Sequence, residues 1–301
     1  MPGAGEKARL TSLLPNEALS RLERLRINSS RRFTSRNRGD RLAGKGGRTI
    51  EFSDYRDYAP GDDIRFVDWN IFARLNRPYM KIFEQEEQMN VVLLVDASSS
   101  MLFEEKLWRG RQLAAAFGMM GLLGSERVSA YVFNAAADEP TRLPACAGRA
   151  NLLRLFGFLE RVEGGGDAPI EDGIETFLKY HSGRGVAIVL SDFLTFGDLD
   201  RGMNRLFSAG LQTFGLQILS GAEIAPDLSG DARLVDSETG ESLDVTSAHQ
   251  LVDLYQEYRA DYQKRVAQLC RRRWGRFLSV SSEAPIDWVL FDLLPRRGWV
   301  E

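Results

Sequence analysis

Cysteine and histidine are scarce in this chain, with two of each in 301 residues. Cys146 and Cys270 cannot build a disulfide framework, and neither sits in a CxxC pair. With only His181 and His249 beside them, a zinc centre is left almost without ligands. A membrane-spanning run is missing too. The longest near-apolar stretch, residues 113–124, is twelve residues long and broken by glycine, against the roughly 20 a spanning helix needs. The opening MPGAGEKARLTSLLP lacks the basic-then-apolar pattern of a signal peptide, so a soluble, cytoplasmic protein is expected. Strong charge of one sign is absent as well: a net charge of -3 argues against a surface built to grip nucleic acid. What remains is ordinary for a globular chain, 44% hydrophobic and 27% charged. The length suits one domain of about 200 residues with a smaller attachment.

Charge is unevenly spread. Residues 21–48 hold ten Arg and Lys against Glu23 and Asp40, so this stretch carries +8 and leaves -11 on the rest. Its second half sets serine, asparagine and glycine between the arginines and is expected to hold no fixed structure of its own. Within residues 16–27, Leu19, Leu22 and Leu25 show helical spacing. The chain divides accordingly into a basic, partly flexible N-terminal arm (1–48), a small β-rich attachment (49–88) and an α/β domain (89–301). The arm offers no run of stacking aromatics, so an acidic face of the body is its expected partner rather than nucleic acid or a membrane. In the attachment, Tyr55, Tyr58, Phe66, Trp69, Phe72, Tyr79 and Phe83 are expected as core. Arg56, Asp62, Asp63 and Asp68 are expected in ion pairs, and residues 60–63 as a turn.

From residue 89 the rhythm becomes strand and helix in alternation. Residues 91–95 are a pure apolar β run, as a strand covered on both faces should be. Residues 128–133, 186–190, 213–219 and 277–280 read as further strands, with a short edge strand at 142–144. Helices are expected at 108–123, 151–161, 170–180, 199–209, 248–273 and 287–294, and a hairpin near 233–235 and 242–245. Such alternation implies an α/β fold, a doubly wound, mostly parallel sheet wrapped on both faces.

Ligands of a doubly wound sheet bind outside the carboxyl ends of its strands, where strand order reverses. The first strand ends in Asp96-Ala97-Ser98-Ser99-Ser100, which places three oxygens on one side of a loop. The 186–190 strand ends in Ser191-Asp192. If these strands are neighbours, as in the order 3-2-1-4-5-6, Asp96 and Asp192 converge on one crevice. A glycine loop at 164–166 adds Asp167. Oxygen donors are hard ligands, suited to Mg²⁺ or Mn²⁺ rather than zinc. Each part also has a plainer role, since Ser98, Ser100 and Asp192 could each cap a following helix. Their joint occurrence at two strand ends is what points to a site.

Asp96-x-Ser98-x-Ser100, with Asp192 after an apolar strand, resembles the metal-ion-dependent adhesion site (MIDAS) of von Willebrand factor A domains. Taken with the upstream block SDYRDYAPGDDIRFVDWNIFAR, the chain resembles the bacterial domain-of-unknown-function family 58 (DUF58) from about residue 47 to the end. Members of that von Willebrand A-like family often accompany MoxR-type AAA+ ATPases. The resemblance implies that Asp96, Ser98 and Ser100 ligate the ion, and that Asp192 binds it directly or through water. The family pattern has a threonine in the loop after the second helix. Here Asp167 stands at the matching place in GGGDAPIEDG, with no threonine nearby. That departure makes the cavity more negative, favouring a cation and disfavouring a partner's carboxylate.

The function expected is a non-enzymatic protein-binding module. Mg²⁺ or Mn²⁺ held by Asp96, Ser98, Ser100, Asp167 and Asp192 would keep one position open for a partner's carboxylate. The resemblance implies a MoxR-type AAA+ ATPase or its client as partner, in chaperone or complex-assembly work. Two other readings stand beside it. A Mg²⁺-dependent hydrolase would lack a nucleophile with an adjacent base, a GxxxxGK[ST] loop and a histidine near the crevice. A metal-free scaffold would bind through the basic arm.

Overall fold

The computed structural model describes residues 9–29, 34–37, 50–86, 88–136, 141–195, 197–226, 232–235, 242–245 and 249–301. Two compact units divide the chain: Met1–Ser30 with Met89–Glu301, and Arg31–Gln88. Helix α1 (Asn16–Leu22) belongs to the first.

The smaller unit is a three-stranded antiparallel sheet of β1 (Thr34–Asn37), β2 (Ile50–Asp57) and β3 (Tyr79–Glu86), with β3 central. Helix α2 (Trp69–Leu75) lies between β2 and β3 in sequence. It is started by Asp68, whose carboxylate accepts from the N–H groups of Asn70 and Ile71, and stopped by left-handed Asn76. The expected aromatic core is corrected here. Trp69 is 59% exposed, Tyr55 38% and Phe72 36%, while Val67, Asp68 and Met80 are buried; the Phe83 side chain lies outside the described residues. Three strands and one two-turn helix enclose too little volume for so many rings. Ion pairs do join Arg56 to Asp62, Arg65 to Asp63 and Lys81 to Asp68.

In the larger unit, strands β4 (Asn90–Asp96), β5 (Arg127–Phe133), β6 (Arg142–Ala147), β7 (Gly185–Ser191) and β8 (Leu211–Leu219) are followed by a separate antiparallel hairpin. The hairpin is β9 (Ala232–Val235) with β10 (Ser242–Val245), and β11 (Arg276–Ser281) comes last. The main sheet has the order β11-β8-β7-β4-β5-β6, parallel throughout except at the β5–β6 edge. Helices α3 (Lys106–Leu123), α4 (Leu152–Glu160), α5 (Ile170–Leu178), α6 (Leu199–Ser208), α7 (Gly221–Ile224) and α8 (His249–Arg271) alternate with the strands. The doubly wound, mostly parallel sheet is therefore observed.

Its central strand β4 is apolar from Val91 to Val95 because both faces are covered. Val92 and Leu94 join Ile174 and Phe177 of α5, Met203 and Leu206 of α6, and Val266 of α8 in one core. Val91 and Leu93 face α3, which comes close because it carries glycines there. A methyl at Gly118 would lie 3.1 Å from Leu93 and 2.5 Å from Leu155, and one at Gly121 would lie 2.7 Å from Val128.

Residues 10–28 are not an arm. Leu13, Leu14, Ala18 and Leu22 are buried, and Gln112 Nε2 donates to the Leu13 carbonyl at 2.9 Å. The backbone of Arg26 and Asn28 pairs with Glu301 and Trp299. The positive charge count concealed this, because α1 itself carries only Arg21 and leaves Ala18, Leu19 and Leu22 free to pack. Of the stretch expected to hold no fixed structure, residues 34–37 instead form β1 against β3, while residues 30–33 and 38–48 lie outside the described residues.

Candidate functional site

β4 and β7 are neighbours, with Val95 opposite Leu190, so the loops that leave their carboxyl ends emerge side by side. The glycine loop joins them. Gly165 N–H donates to the Ala97 carbonyl and Ser99 N–H to the Gly166 carbonyl, both at 2.9 Å. Only glycine permits this approach, since a Cβ at Gly164 would lie 2.3 Å from the Ala97 oxygen.

Asp96 ends β4 and is buried. Its Oδ1 accepts from Ser98 N–H at 2.9 Å and from Asn134 Nδ2 at 3.4 Å, and its Oδ2 accepts from Ser191 Oγ at 2.6 Å. Burial pushes the Asp96 carboxyl up, the Ser191 and Ser98 hydrogen bonds pull it down, and the nearby Asp192 charge adds to the rise. Ser98 and Ser100 are also buried, with hydroxyl oxygens 3.1 Å apart. Ser98 stands at the N-cap of the turn that follows, yet its side chain makes no capping bond there. The plainer capping role therefore does not account for it.

Asp167 is exposed and lines a cavity of about 30 Å³ together with Asp96, Ser98, Asn134 and Thr195. Asn134, in the left-handed conformation that asparagine tolerates (φ 61°), fixes that wall. It accepts from Ala168 N–H at 2.9 Å and donates to the Ala168 carbonyl at 3.0 Å.

Asp192 is engaged elsewhere. Its Oδ1 accepts from Leu194 N–H at 3.0 Å, and its Oδ2 accepts from Lys106 Nζ at 2.8 Å. The same ammonium donates to Glu223 Oε1 at 2.6 Å. Burial works against a charged Lys106, but the Asp192 and Glu223 carboxylates outweigh it and hold the ammonium above its ordinary range.

Of the five expected residues, Asp96, Ser98 and Ser100 form one hydrogen-bonded group, Asp167 lines a cavity with Asp96 and Ser98, and Asp192 is ion-paired. Among the described residues, no group of three or more His, Cys, Asp or Glu is placed to hold a metal ion. The donors that line the cavity are the Asp96 and Asp167 carboxylates and the hydroxyls of Ser98 and Thr195, oxygen ligands that suit Mg²⁺ or Mn²⁺. Lys106, Asn134, Ser191, Thr195 and Glu223 were not singled out from sequence. A lysine heading an apolar helix was one available signal, and the Ser220-x-x-Glu223 capping box was another.

Fold and crevice define an α/β protein whose sheet carries a buried, oxygen-lined pocket at the carboxyl ends of its two central strands. The chain belongs to the family DUF58, described as a protein of unknown function, whose model matches residues 54–269. Similar curated proteins include uncharacterized proteins of Mycobacterium bovis and Mycobacterium tuberculosis. Each is 29% identical over 272 residues, which is 86% of this chain and 84% of the relative. Solved structures that it resembles include the conserved hypothetical protein BatB of Bacteroides thetaiotaomicron (16% identical, 68% of this chain and 95% of that one, TM-score 0.43). Another is an aerotolerance-related membrane protein of Bacteroides fragilis (15%, 70% and 98%, 0.43). A third is an uncharacterized membrane spanning protein of Vibrio fischeri (16%, 64% and 91%, 0.25). Two of these neighbours are described as membrane proteins, and the cytoplasmic placement expected from sequence is withdrawn. No helix among the described residues is long and apolar enough to cross a membrane.

Proposed function

We propose that the chain is a cation-dependent protein-binding module of von Willebrand A type. The observation that carries this reading is the pair of buried hydroxyls, Ser98 and Ser100, 3.1 Å apart in the group headed by Asp96. Neighbouring ligands of an octahedral ion with bonds of about 2.1 Å stand ~3.0 Å apart. When bound, Mg²⁺ or Mn²⁺ supplies a coordination position open to a partner's carboxylate. Asp96 gives the site its buried negative charge, and Ser191 and the Ser98 N–H hold that carboxylate in place. Exposed Leu102, Phe103 and Leu194 lie in the same two loops and offer apolar contacts to a protein surface.

Binding rather than turnover is favoured by Ser191, the hydroxyl bonded directly to the Asp96 carboxylate. It is 1% exposed, and its oxygen also accepts from Phe193 N–H at 2.8 Å, so it cannot reach a substrate. The partner class, a MoxR-type AAA+ ATPase or its client in chaperone or assembly work, rests on the family resemblance.

The test is thermal unfolding of the wild type and Asp96→Ala in EDTA, Mg²⁺ and Mn²⁺, followed by capture of a MoxR-type ATPase. An ion at a hundred times its Kd stabilises by roughly 2.7 kcal/mol. That shift is expected in the wild type and absent in the variant, which also loses the ATPase. A flat response in the wild type, with full capture by the variant, overturns the reading.

A further inference from the structure

We infer that Lys106 is the internal counter-ion of this crevice. It holds Asp192 away from a bound cation, so that the ion is carried by Asp96 and the hydroxyls. The inference rests on the cation-binding reading above and assigns a positioning role to the first residue of α3.

Three observations carry it. The Lys106 side chain is completely buried, which is rare for lysine unless it is paired, and its ammonium touches Asp192 and Glu223 at 2.8 and 2.6 Å. Both oxygens of Asp192 are committed, one to this ammonium and one to Leu194 N–H. The backbone is also bent to bring Lys106 inward. Glu104 and Glu105, immediately before it, both adopt left-handed conformations (φ 41° and 59°), which are unfavourable for residues other than glycine and persist where the surroundings impose them. Glu223 is held in turn by its capping box with Ser220. The ammonium thus ties the β7 loop, α3 and α7 together.

The consequence is electrostatic. With Asp96, Asp167 and a free Asp192 around it, a divalent ion would be over-neutralised and would repel a partner's carboxylate. With both Asp192 oxygens held by Lys106 and Leu194 N–H, the ion faces two carboxylates directly rather than three and keeps more of its attraction for a partner's. This offsets the extra negative charge that Asp167 brings. Removing Lys106 should therefore release Asp192 as a ligand.

The experiment is calorimetric titration of the full chain with Mn²⁺. Lys106→Met alone strands two carboxylates in the interior, so the decisive variant is Lys106→Met/Glu223→Gln, which removes the ammonium and one carboxylate together. The two charges removed cancel, so the gain comes from Asp192 approaching the ion: the variant is expected to bind Mn²⁺ more tightly by on the order of tenfold, the scale of one carboxylate brought close to it. Adding Asp192→Asn should return the affinity to that of the wild type. In the wild-type background, Asp192→Asn should lower affinity far less than Asp96→Asn, which abolishes binding; the contrast reflects one carboxylate held off the ion by its own partners and one not. A folded double variant with unchanged or weaker affinity overturns the role of Lys106. So does loss of binding in Asp192→Asn as complete as in Asp96→Asn, a comparison that decides the matter even if the double variant does not fold. If the wild type itself takes up no Mn²⁺, the cation reading fails and this inference fails with it. Wild-type binding without the double-variant gain removes the Lys106 inference alone.

Discussion

At the scale of single residues, the crevice is organised by which polar group answers which. Ser191 donates to Asp96 Oδ2 and accepts from Phe193 N–H, so Ser191→Ala leaves a buried carboxylate oxygen and a buried N–H without partners. Chemical denaturation of the metal-free protein should show a loss of about 1–3 kcal/mol, the cost of unsatisfied buried groups. A loss below about 0.5 kcal/mol would mean that other partners take over. A second carboxylate sets an acid limit. Glu160 Oε1 accepts from the Thr11 hydroxyl and from Ser12 N–H, both at 2.6 Å, and the Thr11 bond is the chief reason its carboxyl lies below the usual range. Its folded value is depressed, so its contribution is complete above the ordinary glutamate pKa near 4.3 and is lost as pH falls through the lower folded value. Acid titration should therefore release residues 11–12 only below the ordinary glutamate range, and Glu160→Gln should flatten that limb. An unchanged acid limb would contradict this. The Asp96 motif was legible because its residues are adjacent in the chain. The use of Ser191 was not, since a serine two residues before an N–H reads equally well as a turn.

At the scale of elements, glycines decide how closely loops and helices approach. Gly164→Ala sets a Cβ 2.3 Å from the Ala97 oxygen, where the neighbour is backbone and cannot give way. The variant should lose about 1–3 kcal/mol, as overpacked sites do. It should also lose Mn²⁺ uptake, because the loop bearing Asp167 is pushed off the Asp96 loop. Gly157 lies inside α4 with nothing within 4 Å of an added Cβ, so Gly157→Ala should instead stabilise by about 0.5–1 kcal/mol. Paired melting curves that move in opposite directions would bear this out, and a shared direction would refute it. The strands of the main sheet were read from their largely apolar runs, whereas β1, polar and set among arginines, was not read as a strand. The edge strand was read short: β6 continues to Ala147 past Pro144, because a proline at a sheet edge need not donate to the ladder. α3 begins at Lys106 rather than with the apolar run, since a buried ion pair lets a charged residue open a buried helix.

At the scale of the molecule, residues 10–28 close the larger unit. Leu13, Leu14, Leu19 and Leu22 are buried, each worth about 1.5–3 kcal/mol on burial. Deleting residues 1–28 should cost several kcal/mol and lower the melting temperature sharply; an unchanged calorimetric transition would show that this segment does not support the core. The sequence by itself determined the strands, the winding of the sheet and the loop that carries Asp96, Ser98 and Ser100. A strand covered on both faces requires an apolar run, and a loop at its carboxyl end requires only neighbouring residues. Tertiary structure alone decided that Asp192 faces an ammonium and that Thr195 and Asn134 line the cavity. Lys106 lies 86 residues from Asp192 and 117 from Glu223. No local pattern spans such separations. Buried charges pair only where strand order and a bent backbone bring them within hydrogen-bonding distance.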